Sequence, residues 1–302
     1  MSGHNDAAAR GHAAAMIRRL ALALLLLWLV PGSALALPPV WVVRDKDSEM
    51  VLFGSVHLLP PGLAWRPAAL GRALTSADDI WFEAPMGAEG QADATKAAQA
   101  HALLPAGQTL SALLSTDGRD RLAKAAAKLG MSVQDMDRLQ PWYAELMLSN
   151  ALYEKVGAER SQGVEIQLWQ GVNPAAKRAT FETPAEQVAL FAGAPLADQA
   201  AALEQTLKEA PSAEHDYQTL LTAWMDADLK TLDRKVVEPL RKTSPALYAT
   251  LVRRRNMRWT QALDKRLQGS GRTVVVVGVG HLIGPDGLPA RLRALGYSVE
   301  GP

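Results

Sequence analysis

The chain is expected to adopt an α/β (α+β) fold: two related strand-loop-helix-strand units forming one central mixed sheet, with a helical lobe inserted between them. Three observations predict this. The sequence G-x-x-H occurs as Gly54-Ser55-Val56-His57 and again as Gly278-Val279-Gly280-His281, each time closing a short β-branched or aromatic run suited to a buried strand. Both copies continue alike: His57-Leu58-Leu59-Pro60-Pro61-Gly62 leads through a helical stretch to Asp79-Ile80-Trp81-Phe82-Glu83, and His281-Leu282-Ile283-Gly284-Pro285 leads through Leu288 to Leu295 into Tyr297-Ser298-Val299-Glu300. Between them, at about 88–160 and 194–268, the sequence is rich in Ala, Leu, Gln and Lys at helical spacing.

Residues 1–36 read as an export signal. Arg10, Arg18 and Arg19 precede the apolar stretch Leu20 to Val30, and Pro31-Gly32-Ser33 leads to the small-residue site Ala34-Leu35-Ala36. Cleavage after Ala36 leaves 37–302 as one domain in the periplasm or outside the cell. The stretch from Leu20 to Val30 is short for a finished membrane span, and no later segment resembles one. The formal charge of +1 includes Arg10, Arg18 and Arg19 against Asp6, so the mature chain is near −1 and nucleic-acid binding is not expected. There is no cysteine, which excludes disulfides, thiolate metal sites and a lipidated N-terminal cysteine. Any metal must be held by histidine and carboxylate.

In chain order, 39–43 and 50–53 are strands joined through the charged, turn-prone 44–48, an antiparallel hairpin whose second strand delivers His57. Glycine three residues before each histidine suits a turn with positive φ or a close backbone approach. A helix is expected over 67–76 and a strand over 79–83, ended by Pro85. Arg121 to Leu129 is helical and closed by Gly130, and Pro141 opens a helix on which Trp142, Leu146, Ser149 and Tyr153 share one face, read as core. Glu165 falls in the first turn of a helix running to Gln170, where the dipole favours a negative charge; this structural role weighs as much as a functional one. A strand over 179–183 precedes a capping box formed by Thr183 and Glu186 around Pro184. The arginines of 253–258 mostly face solvent, and His101 and His215 occupy solvated helical positions.

Taken in order, the segments 52–57, 80–83, Gly163-Val164-Glu165, 181–187, Arg255-Asn256, 277–282 and Gly296-Tyr297 resemble the TraB/PrgY/GumN family, whose animal relatives include the Tiki proteins. The resemblance spans most of the mature chain. For the Tiki branch it implies a metal-dependent protease centred on the two G-x-x-H histidines and an acidic residue, here His57, His281 and Glu83. Family members often carry Asp where this chain has Glu165. The GumN name associates some members with polysaccharide gene clusters.

Two imidazoles with one or two carboxylates suit a divalent ion such as Mn, Zn, Fe or Co. Such an ion draws the pKa of bound water from about 15.7 toward 7, supplying hydroxide for attack on a carbonyl of a peptide or cell-envelope substrate. His57 and His281 are the expected ligands, Glu83 a ligand or general base, Glu165 a further candidate ligand, and Arg255 a stabiliser of the oxyanion. The alternatives are metal-free hydrolysis with one histidine as base, a non-catalytic protein holding a metal or haem between the histidines, and a cell-envelope or polysaccharide-associated accessory protein.

Overall fold

Six strands form one mixed sheet in the order β4-β3-β5-β2-β1-β6, comprising β1 (Val40–Arg44), β2 (Ser48–Ser55), β3 (Asp79–Phe82), β4 (Lys177–Thr180), β5 (Gly271–Gly278) and β6 (Ser298–Glu300). The structure is a computed structural model that describes residues 37–302; the export signal expected over 1–36 lies outside the described residues. β1 pairs antiparallel with both β2 and β6, while β2, β5, β3 and β4 pair in parallel. The expected hairpin is present, its turn held by Asp45 Oδ1, which accepts from the Ser48 amide at 2.8 Å.

The two units interleave rather than sit side by side. β2 lies against β5 along their whole length, with Phe53 opposite Val276, Gly54 opposite Val277 and Ser55 opposite Gly278. The connection from β2 passes β5 to reach β3 and carries α1 (Ala68–Ser76). The connection from β5 runs the other way, past β2 and β1 to β6. Because crossovers share one hand, opposite directions require opposite faces. Accordingly Leu70 of α1 packs with Val51, Phe53, Ile80, Phe82, Val274 and Val276, whereas the helix after β5 packs Leu288 and Leu292 with Leu52, Val275 and Val277. Alternation along the strands feeds both cores, and every one of these strand residues is buried.

The remaining principal helices are α2 (Ala88–His101), α3 (Thr116–Leu129), α4 (Pro141–Lys155), α5 (Val164–Gln170), α6 (Pro184–Ala192), α7 (Leu196–Glu209), α8 (Ala213–Met225), α9 (Arg254–Leu267) and α10 (Leu288–Ala294), the last being the helix after β5. α3 starts at Ser115, whose hydroxyl accepts from the Gly118 amide at 3.0 Å, and ends at Gly130, whose φ of 69° lies in the left-handed region. The Thr183–Glu186 capping box forms as expected. A third core, separate from the sheet, joins Leu110, Leu122, Ala144, Leu148, Leu203 and Leu207. Complete burial of a leucine such as Leu148 contributes about 1.5–3 kcal/mol.

One expected face is different. α4 buries Ala144, Leu148 and Leu152 in addition to Pro141 and Trp142, leaving Leu146 exposed and Ser149 and Tyr153 half-buried. The helix is apolar on two sides: Leu146 lines a cavity, and Tyr153 lines it too while packing against the core beside Tyr217.

Candidate functional site

The C-terminal ends of β2, β5 and β3 lie next to one another, at the place where the two crossovers depart in opposite directions. In an open parallel sheet such a switch point leaves a crevice beyond the strand ends. Here it is a cavity of about 590 Å³ whose lining includes His57, Glu83, Glu165, Arg255 and His281, so all five expected residues meet in one space.

His57 lies two residues beyond β2, in a segment fixed from the opposite side. The Val164 amide donates to the Val56 carbonyl at 3.1 Å, and Leu59 and Glu159 form a two-bond antiparallel bridge. Gly163 lies directly under this segment: a Cβ there would come within 2.2 Å of the His57 carbonyl oxygen. Glu165, one helical position into α5, then reaches His57 Nδ1 at 2.7 Å with Oε1, the oxygen that also accepts from the Ser55 hydroxyl at 2.5 Å. The Glu165 carboxylate raises His57 to about 9, against the burial that would lower it. The ring itself remains 65% exposed through the cavity, so solvent screens part of that attraction. Burial pushes Glu165 up, but the charge and hydrogen bond of His57 outweigh it and hold the carboxyl below its ordinary value.

His281 ends a single 3₁₀ turn after β5 and is almost fully enclosed. Its ring lies 4.5 Å from that of Trp259. Asn256 fixes the tautomer: its Nδ2 donates to the carbonyls of His281 and Asp286, so Oδ1 is the acceptor facing Nδ1 at 2.6 Å and Nδ1 carries the proton. Nε2 is then the lone-pair nitrogen, 3.0 Å from Arg255 Nη1. Desolvation lowers this histidine to about 4, which keeps it neutral at ordinary pH.

Glu83 follows β3 directly. Its Oε1 accepts from the Gly278 amide at 2.7 Å and stands 3.8 Å from His281 Nε2; its Oε2 accepts from Arg255 Nη2 at 2.6 Å and Gln187 Nε2 at 3.3 Å. Burial alone would raise its pKa, but His281, Arg255, His57 and the Gly278 amide bring it to about 2. With His281 neutral, the permanent guanidinium is the nearest cation that sustains this, with His57 adding to it. Arg255 also makes a forked contact with buried Glu182 at 2.8–3.1 Å and donates to the Leu251 carbonyl, so all five of its N–H groups are engaged and none is left for an oxyanion as placed. As expected, Arg253, Arg254 and Arg258 are exposed, but Arg255 is not.

The two motif glycines do not use positive φ, contrary to one of their two expected roles. Gly54 instead permits close approach, since a Cβ would lie 2.9–3.0 Å from Val279. That contact is where the two G-x-x-H segments touch.

The TraB/PrgY/gumN family model matches residues 39–301. The chain belongs to this family. The uncharacterized protein YbaP of Escherichia coli (strain K12) is 26% identical over 264 residues, covering 87% of this chain and 94% of the relative. YbaP of Shigella flexneri shows the same identity and coverage. No solved structure matches.

Two residues of this TraB/PrgY/gumN site were not singled out as functional from sequence, Glu182 and Asn256. Each orients an expected residue, Glu182 holding Arg255 and Asn256 holding His281. Spacing carried a signal for Asn256, since Asn256, Thr260, Leu263 and Leu267 repeat along the buried stripe of α9. Glu182 echoes Glu83, each following an aromatic residue at a strand end, and the Glu182 amide donates to the Glu83 carbonyl at 2.9 Å. As for a metal, the donor chemistry fits: both imidazoles have Nδ1 tied to an acceptor, the second-layer arrangement that orients metal-binding histidines, and a carboxylate lies beside them. As placed, however, no three His, Asp or Glu side chains among the described residues converge to hold an ion, and the Arg255 guanidinium stands beside both Glu83 and His281.

Proposed function

We propose that this chain is an exported hydrolase acting on a carbonyl-centred bond, a peptide bond being the one its family resemblance implies, and that a divalent metal assists it. The observation that carries the reading is the pair of imidazoles from opposite ends of the sequence, each anchored at Nδ1, in one cavity with Glu83 at the sheet's switch point. His57, His281 and Glu83 would hold the ion, with Arg255 giving up its contact to His281 Nε2. Bound there, the ion would supply activated water at neutral pH. Glu165 and Asn256 orient the two rings, and Glu182 keeps the guanidinium close to Glu83.

A metal-free reading has its own support. His57 and Glu165 form an imidazole–carboxylate pair on a ring open to the cavity, the arrangement of a proton donor and its orienting carboxylate, while His281 keeps a lone pair at Nε2 for the role of base. One experiment separates the two. The purified protein is stripped with chelator, then titrated with Mn, Zn, Fe or Co and followed by elemental analysis and by hydrolysis of peptide and ester substrates. Stoichiometric metal that is lost in the His57→Ala/His281→Ala double variant, with turnover abolished by chelation and restored by metal, is the expected result. Turnover that survives chelation leaves the metal-free reading, and wild-type turnover in the double variant refutes both.

A further inference from the structure

The cavity's lining is mostly apolar. The ionisable groups His57, Glu83, Glu165, Arg255 and His281 gather at the sheet edge; Leu58, Ile166, Leu190, Val236, Leu240 and Leu251 supply aliphatic wall, and Gln91 and Asn150 are polar residues contributed from α2 and α4. The aliphatic residues come from the loop after β2, α5, α6, the segment 233–243 and the segment before α9. The apolar surface continues outward, because Leu146 and Phe191 also line the cavity and are 43% and 44% exposed. Large side chains exposed around a recess mark a surface that a ligand covers.

These walls bear on what can lie against them. A polypeptide or sugar chain brings a hydrogen-bonding group every few atoms, and each needs a partner once water is excluded. The six aliphatic side chains offer none; a hydrocarbon chain requires none. At the polar end, Arg160 lines the cavity with His57 and has no ion pair among the described residues, giving positive charge where a carbonyl or carboxylate head would sit. We propose that the substrate is an acyl ester or amide whose hydrocarbon chain lies along the aliphatic wall toward Leu146 and Phe191, with its carbonyl at the His57 and Arg160 end. This inference rests on the hydrolase reading for its chemistry. Water adds to the acyl carbon, the bond from that carbon to the alcohol oxygen or amine nitrogen breaks, the leaving group takes a proton, and a fatty acid and an alcohol or amine are released.

Binding and turnover are tested separately. The binding probe is 11-(dansylamino)undecanoic acid, followed by its blue shift and displaced by dodecanoate, on wild type, Leu240→Gln, Leu251→Gln and the distant surface control Leu103→Gln, each checked for folding by circular dichroism. Wild type and the control are expected to bind alike, and each wall variant about tenfold more weakly. The turnover arm uses p-nitrophenyl esters from acetate to decanoate, with kcat/KM rising about fourfold per added methylene until the wall is filled. No probe binding, or equal binding by the folded wall variants, overturns the proposal. Hydrolysis without dependence on chain length also overturns it, while leaving the hydrolase reading intact. Probe binding weakened by both wall changes, with no ester cleaved, sustains the acyl-chain site and refutes the hydrolase.

Discussion

Replacing Arg255 by methionine removes the charge at the centre of the site while retaining most of the side chain's length. Arg255 stands between two buried carboxylates, Glu83 at 2.6 Å and Glu182 at 2.8–3.1 Å. The displacement of Glu83 from 4.5 to about 2 corresponds to about 3 kcal/mol, which with His281 neutral is shared among Arg255, His57 and the Gly278 amide. Removing one partner of a buried pair costs about 3–5 kcal/mol. Glu182 keeps Arg258 at 3.2 Å and Glu83 keeps the Gly278 amide, so the lower end, about 3 kcal/mol at pH 7, is expected. The sign with pH also follows. In the wild type the folded value of Glu83 is depressed, so its contribution is present above about 4.5 and is lost as pH falls toward 2. In the variant burial prevails and raises Glu83, so protonation relieves the unpaired charge and the deficit shrinks from pH 7 to pH 5. Urea unfolding of both chelator-treated proteins at the two pH values, followed by circular dichroism, measures it. A deficit below about 1 kcal/mol at pH 7, or one that grows on acidification, refutes the reasoning.

Two further changes probe the segments that carry the histidines. Gly163→Ala places a methyl group against the His57 carbonyl and is expected to lower stability by about 1–3 kcal/mol and to broaden or shift the His57 ring resonance in NMR; an unchanged spectrum counts against the close approach. Trp224→Phe removes the 2.9 Å hydrogen bond from Nε1 to the Gly54 carbonyl in a fully buried setting, with an expected loss of about 2 kcal/mol by thermal or urea unfolding, and a loss below 0.5 argues that the carbonyl finds another donor.

The parallel centre of the sheet was readable because Met50 to Phe53 and Thr273 to Val277 leave no competing helical choice. The faces of α4 were not. Periodicity reports that a side is apolar, but burial against a neighbour and exposure to an apolar cavity give the same pattern, so Leu146 looks like core in sequence while Leu148 and Leu152 are the core in fact. Arg255 shows the reverse difficulty. It lies among arginines that face solvent, yet it stands four residues before Trp259 and eight before Leu263 on the buried stripe of α9, and two carboxylates from distant strands make that burial tolerable. Nothing in local sequence reveals that Glu182 will be present to share it.

The duplication of G-x-x-H suggests equivalent histidines, but the fold makes them unlike. Their strands pair one residue out of step, with Ser55 rather than Gly54 opposite Gly278, so the following segments leave the sheet differently. His57 meets a carboxylate and the open cavity; His281 meets a neutral amide, a guanidinium and the Trp259 ring. One ring is therefore raised to about 9 and the other lowered to about 4. Titratable groups whose surroundings drive their pKa values apart divide acid and base roles between them. At neutral pH His57 holds a proton that it can give, and His281 holds a lone pair that accepts from Arg255. Swapping the two partners, Glu165 and Asn256, would move the charge at Nδ1 from one ring to the other but leave His281 buried, because charge at Nδ1 and access to solvent together distinguish rings that the sequence presents as copies.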